Sequence, residues 1–142
     1  NGTKFERQMI ELTKEQMRMV QKSSNIPVRN GKINVWNVLN GQQSIGTFWI
    51  DQVVGKHEFI TYAVGINTDG KVIQVEILDY RETYGFQVRE ANWRKQFLGK
   101  SKDSPLKLGQ DIQNISGATL SCRNVTDGVK RILATYDFVI KK

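Results

Sequence analysis

Between residues 30 and 80 the chain alternates short apolar stretches with turn signals, and that spacing fits an antiparallel meander. Asn30-Gly31, Asn40-Gly41 and Asn67-Thr68-Asp69-Gly70 mark tight turns, and Gly55-Lys56-His57 marks a bend. Strands are expected over residues 32–39, 46–54, 58–66 and 71–80. In the last of these, Ile73, Val75 and Ile77 fall on one face and Gln74 and Glu76 on the other. A sheet with one apolar face must bury it against something. The remaining segments are therefore read as the helices that cover it.

Residues 1–24 read as a helix. Thr13 and Gln16 fit a capping box, with Leu12 and Met17 as its hydrophobic staple. Met17 and Val20 continue the apolar stripe, and Ser23-Ser24-Asn25 followed by Pro27 ends it. A second helix is expected over 90–98, with Trp93 and Phe97 one turn apart and Gly99 as its C-terminal cap. Residues 100–114 form a polar loop broken by Pro105 and Gly109. A third helix runs to about Ala134, with Val125, Val129 and Ile132 on one face, and residues 136–140 suggest a final strand. The expected class is α+β: an antiparallel sheet with helices packed on it, in a single domain. An N-terminal helical segment, 1–30, is expected to form one compact unit with the remainder, 31–142. A length of 142 residues suits one domain with a real core.

Composition narrows the chemistry. One cysteine, Cys122, excludes an intrachain disulfide and any cysteine-rich zinc or iron–sulfur centre. One histidine, His57, disfavours a haem or zinc centre built from protein ligands alone. The formal charge of +7 suits acidic partners, anionic surfaces or a phosphate-bearing cofactor, and equally a solvated basic surface. It also permits a nucleic-acid binder, but no recognised motif supports one. No apolar run approaches the roughly 18 residues of a membrane span, and no signal peptide is visible at Asn1.

The candidate site is the run Asn114-Ile115-Ser116-Gly117-Ala118-Thr119-Leu120-Ser121-Cys122, small residues that stop at the third helix. Gly117 can take a positive φ without penalty. A helix start offers unpaired N–H groups and a positive dipole end, which together make a seat for a phosphate. Thr119 places a hydroxyl in that seat. The same pattern read alone is also that of an ordinary turn and N-cap.

Ser116-Gly117-Ala118-Thr119-Leu120-Ser121 resembles the signature of the FMN-binding domain family. That family includes the C subunit of Na+-pumping NADH:quinone reductases, the G subunit of Rnf complexes and small extracytoplasmic redox proteins. The resemblance extends through Gly55-Lys56-His57-Glu58, Tyr62 to Ile66, Asp69 to Val72, Tyr80 to Arg89 and Trp93 to Phe97, or roughly residues 45–134. In the transporter subunits the second signature reads Glu-Thr-Pro-Gly. Tyr84 stands here in place of that proline, so the chain looks more like the small stand-alone members. The family usually carries Asp three residues before the serine. This chain has Gln113 there, with Asp111 two residues further back.

The resemblance implies an electron carrier rather than a stand-alone enzyme. Thr119 would bear FMN through a phosphoester made by a flavin transferase, with redox proteins, membrane-bound ones among them, as partners. It implies an extracytoplasmic location, periplasm or outer membrane face, with any leader or anchor absent from this chain. Non-covalent FMN binding, or a flavin-free assembly module, is the alternative left open by Gln113. Ser116, Gly117, Ala118, Leu120 and Ser121 would surround the phosphate. Tyr84, Gly85, Phe86 and Trp93 are candidates for the wall of the ring, and Arg81 and Arg94 for charge near it. Tyr84, Phe86 and Trp93 are open to a core reading as well, and Arg81 to an ion pair with Glu82. His57 is read either as a flavin contact or as a surface residue. Cys122 is read either as a thiol activated by the helix start or as a small packing residue.

Overall fold

Five strands pair in sequence order, β1-β2-β3-β4-β5, into one antiparallel sheet. They are β1 (Thr3–Glu11), β2 (Lys32–Asn40), β3 (Gln43–Val54), β4 (Phe59–Asn67) and β5 (Val72–Tyr80). Helix α1 (Lys14–Ser24) follows β1, a short α2 (Ala91–Arg94) follows β5, and α3 (Thr119–Thr135) comes last. The computed structural model describes residues 2–83 and 85–140; Tyr84, a candidate wall residue, lies outside the described residues. The expected α+β single domain is what the chain forms.

The capping box is present as read. Gln16 donates its N–H to Thr13 Oγ1, and the Thr13 N–H is bonded to Gln16 Oε1. Leu12 is buried with Met17 packed against the same cluster. The helix nevertheless begins only at Lys14. Residues 3–11 form a strand, β1, whose register runs from Thr3 opposite Asn40 to Glu11 opposite Lys32. This corrects the reading of 1–24 as one helix. Most of β1 is exposed, so pairing with β2 rather than apolar patterning defines it.

Two further expectations change. Residues 136–140 are not a strand but a π-helical turn, Tyr136–Ile140, that continues α3. Its aromatic and β-branched residues suggest a strand, yet Tyr136 and Val139 are buried at helical spacing. In β5, the alternation breaks where the register against β4 slips between Gly65 and Ile66. The bulge turns Ile73 outward, 56% exposed, and leaves Val72 and Val75 buried in its place.

The sheet buries Val35, Trp49, Ile60, Tyr62, Val64 and Ile66 in one cluster with Val125, Val129, Ile132 and Leu133 of α3. Each side chain of this size stabilises the fold by about 1.5–3 kcal/mol through burial. Gly128 sets how closely α3 approaches. A Cβ there would overlap the Tyr62 hydroxyl and stand 3.1 Å from Val53 Cγ1. The Tyr62 hydroxyl cannot move aside, because it donates to Asp51 Oδ2 at 2.7 Å and Arg131 pairs with the same oxygen. Burial first, and the Asp51 charge second, push the Tyr62 phenol well above its usual pKa, so it stays a neutral donor.

Replacing a helical glycine by alanine ordinarily gains about 1 kcal/mol of helix propensity. Here Gly128→Ala is expected to lose about 1–3 kcal/mol net through overpacking. Urea denaturation measures this, and a variant as stable as the parent contradicts the packing described.

Candidate functional site

The turn before α3 is built as its residues suggest. Ala118 donates its N–H to the Ile115 carbonyl at 2.9 Å, and Gly117 sits between them at φ +84°. A side chain at Gly117 would meet nothing within 4 Å, so the turn faces open space. Ala118 occupies the N-cap and offers no side-chain hydrogen bond to the helix. The first-turn N–H groups therefore lack the usual capping oxygen. Thr119 is exposed, and its Oγ1 accepts a hydrogen bond from Asn114 Nδ2 at 2.9 Å.

A cleft of about 480 Å³ opens beside this turn. One wall is Gly117, Ala118, Thr119, Leu120 and Ser121; the other is Lys56, His57, Glu82 and Thr83. A larger groove of about 840 Å³ runs between the 26–34 segment, the end of β3 and the middle of α3, but it does not reach Thr119. The smaller cleft carries the candidate chemistry, because the helix start and the exposed Thr119 hydroxyl open on it.

The other signature loop packs directly on the turn. Gly85 is buried at φ +83°, and a Cβ there would overlap that of Ala118 and lie 2.7 Å from the Tyr80 hydroxyl. Only glycine meets both demands. Ser121 is 3% exposed at the inner end of the cleft, with its Oγ 3.3 Å from the Tyr80 hydroxyl.

Several candidate residues sit elsewhere. Trp93 is 5% exposed, stacks edge-on against Phe97 and donates its indole N–H to the Gln113 carbonyl at 2.7 Å. It holds the segment leading into the turn and does not line the cleft. Phe86 is exposed outside the cleft. Arg81 pairs with Asp79 at 2.9 Å, not with Glu82. Arg94 is spent on the Val75 carbonyl at 2.7 Å and on Glu76 at 3.0 Å. Cys122 is fully buried, and that burial raises its thiol pKa, which suits a packing residue and not a thiol activated by the helix start.

Sequence reasoning missed Glu82, Lys56 and Thr83 as site residues. Glu82 is the most consequential. Its Oε2 accepts the N–H groups of Lys56, His57 at 2.6 Å and Glu58 at 3.2 Å. The His57 N–H above all, then those of Glu58 and Lys56, hold its carboxyl below the usual range against an opposing push from burial. A carboxylate next to an arginine reads as an ion pair. Its real donors lie 24 to 26 residues away, across the β3–β4 connection, where no local pattern reaches.

Gln113 and Asp111 have separate tasks. The Gln113 N–H donates to Gln96 Oε1 at 2.7 Å. Asp111 accepts from the N–H groups of Leu106 and Lys107 and pairs with Lys100 at 3.3 Å. It staples its own loop and is not free to replace the missing Asp.

The fold and this cleft define a small α+β domain that presents an uncapped helix start and an exposed hydroxyl to a cavity of cofactor size. The sequence model of the FMN-binding domain matches residues 55–134, more than half of the chain, and the chain belongs to that family. The G subunit of the ion-translocating oxidoreductase complex of Shewanella oneidensis is 36% identical over 83 residues, covering 51% of this chain and 39% of that protein. The G subunit of the proton-translocating ferredoxin:NAD(+) oxidoreductase complex of Clostridium ljungdahlii is 31% identical over 109 residues, covering 71% of this chain and 58% of that protein. The chain thus spans about half the length of these curated relatives. The crystal structure of Shewanella oneidensis NqrC superposes with a TM-score of 0.55 at 19% identity, covering 94% of this chain and 64% of that one, and shares the fold. No helix among the described residues is long and apolar enough to cross a membrane.

Asp111 gives a pH-dependent prediction. Burial pushes its pKa up, but the Lys107 and Leu106 N–H groups and Lys100 outweigh this, and the net shift is downward. A lowered folded pKa stabilises the protein fully above the unfolded value, about 3.9, and that stability is lost as pH falls through the folded value. Asp111→Asn is expected to cost about 1–3 kcal/mol at pH 7, with the difference from wild type vanishing in strong acid. Urea titrations across that range check it; a pH-independent difference contradicts it.

Proposed function

We propose that this chain is an electron-transfer domain whose FMN is joined through a phosphoester to Thr119. The observation that carries the reading is the exposed Thr119 hydroxyl at an uncapped helix start, on the rim of the 480 Å³ cleft. The residues present fit FMN. An anionic phosphate suits the N–H groups of the first turn of α3 and the dipole there. A flat ring suits a cleft whose walls combine Leu120 and the small residues of the turn with Lys56, His57 and Thr83.

Attachment needs a partner. The Thr119 Oγ–phosphorus bond forms as the pyrophosphate bond of FAD breaks, AMP leaves, and the hydroxyl proton passes to a base of a flavin transferase. An isolated threonine hydroxyl is a poor nucleophile, so activation belongs to the transferase. The chain's contribution is presentation. Asn114 orients the oxygen, and the turn holds it where a second protein can reach. Bound FMN supplies reversible electron transfer, while the protein sets its orientation and access.

Thr119 would then hold the phosphate, the helix start would neutralise it, and Lys56 would place positive charge at the opposite wall. The named relatives belong to ion-translocating oxidoreductase complexes, which supports membrane-bound redox partners for this domain too. An extracytoplasmic position, on the outer side of the membrane, completes the proposal.

The test is intact mass after co-expression with a flavin transferase. The wild-type chain is expected to gain one FMN less one water, and Thr119→Ala to gain nothing and to lose all flavin on denaturation. An unmodified wild-type mass with FMN released on denaturation would favour the non-covalent alternative. Equal retention by Thr119→Ala would overturn the tether.

A further inference from the structure

Three consecutive backbone N–H groups, those of Lys56, His57 and Glu58, converge on one oxygen, Glu82 Oε2. Such a convergence is an anion-binding nest, and here the chain fills it with its own carboxylate. The same oxygen is 2.6 Å from the point where a Cβ on Gly55 would stand, and that point is 3.1 Å from Ser121 Oγ. Three segments therefore meet there: the β3–β4 connection, the loop after β5 and the first turn of α3. Lys56, His57 and Glu82 form the cleft wall opposite Thr119.

We propose that Glu82 is the positioning residue of the flavin seat: its carboxylate fixes the Lys56–Glu58 connection as the wall against which the ring rests. This builds on the reading of the cleft as the FMN site. A charged acceptor suits three donors better than a neutral one, because hydrogen bonds to an ionised group are about twice as strong. Glu82→Gln keeps the shape and removes the charge. Gly55→Ala acts from the other side: the new methyl occupies the space of the carboxylate oxygen and pushes it out of the nest. Neither substitution touches Thr119.

The experiment uses the full chain in two states. In the flavin-free chain, amide hydrogen exchange at residues 56–58 reads the clamp. Wild type is expected to protect these amides at neutral pH, although the connection is exposed. Glu82→Gln and Gly55→Ala are each expected to exchange there about tenfold faster, with the core amides of β3 and β4 unchanged. Wild-type protection should also fall away in acid, as pH drops through the lowered Glu82 pKa, and Glu82→Gln should show no such step. In the chain loaded by the transferase, intact mass gives the flavin content of each variant, and the signals are compared per bound flavin. The variants' visible circular dichroism should weaken and their flavin midpoint potential should shift, with Glu82→Asp recovering part of each signal.

Wild-type exchange at 56–58 in folded Glu82→Gln and Gly55→Ala would overturn the proposal, as would unchanged flavin dichroism and potential. The tether can fail separately. If wild type gains no mass, FMN is titrated into each flavin-free chain. About tenfold weaker binding by the variants supports the wall, and equal binding overturns it.

Discussion

Everything at the cleft depends on how closely α3 lies on the sheet. Gly128 removes the side chain that would hold the helix off Tyr62, and Tyr62, Asp51 and Arg131 lock the crossing with hydrogen bonds. These groups gain most by keeping one another company: a buried phenol, carboxylate or guanidinium without a partner is strongly unfavourable. The crossing is therefore set to within a methyl group. A helix is stiff, so fixing its middle fixes its start, and its start carries Thr119.

The start is secured a second time from the side. Gly85 packs on Ala118, Tyr80 reaches Ser121, and Trp93 holds the Gln113 carbonyl on the approach to the turn. Residues that could have touched a cofactor instead brace the loop that would hold it. What faces the cleft is small: the Gly117 edge, the Thr119 hydroxyl, Leu120, and the wall organised by Glu82. That division suits a carrier domain. The frame is packed, and the Thr119 hydroxyl is exposed at its edge.

Much of this was legible in the sequence, wherever local chemistry decides. The Thr13–Gln16 capping box, the turns at Gly41 and at Asn67 to Gly70, and the tight turn at Gly117 each follow from residues within a few positions of one another. Where the sequence misled, long-range pairing had won. Residues 3–11 are rich in Glu, Arg, Gln and Met, good helix formers, yet they complete the edge of the sheet beside β2. Ile73 followed the alternation on paper but left it at a bulge that only the partner strand defines. The site divided in the same way. Thr119 and the small residues around it announce themselves, whereas Glu82 acquires its role from backbone donors of a distant connection, and Trp93 turns inward to a carbonyl 20 residues on.

The central claim is that one oxygen, Thr119 Oγ1, bears the flavin. Trypsin cuts after Lys107 and Arg123, and the peptide between them holds three hydroxyl side chains, those of Ser116, Thr119 and Ser121. Tandem mass spectrometry of that peptide from flavinylated protein locates the modification directly. Ser121 is buried against Tyr80, and Ser116 lies within the turn but does not line the cleft, so all of the added mass should fall on fragments that contain Thr119 and on none that contain only a serine. Flavin on either serine, or on any other peptide, would contradict the assignment.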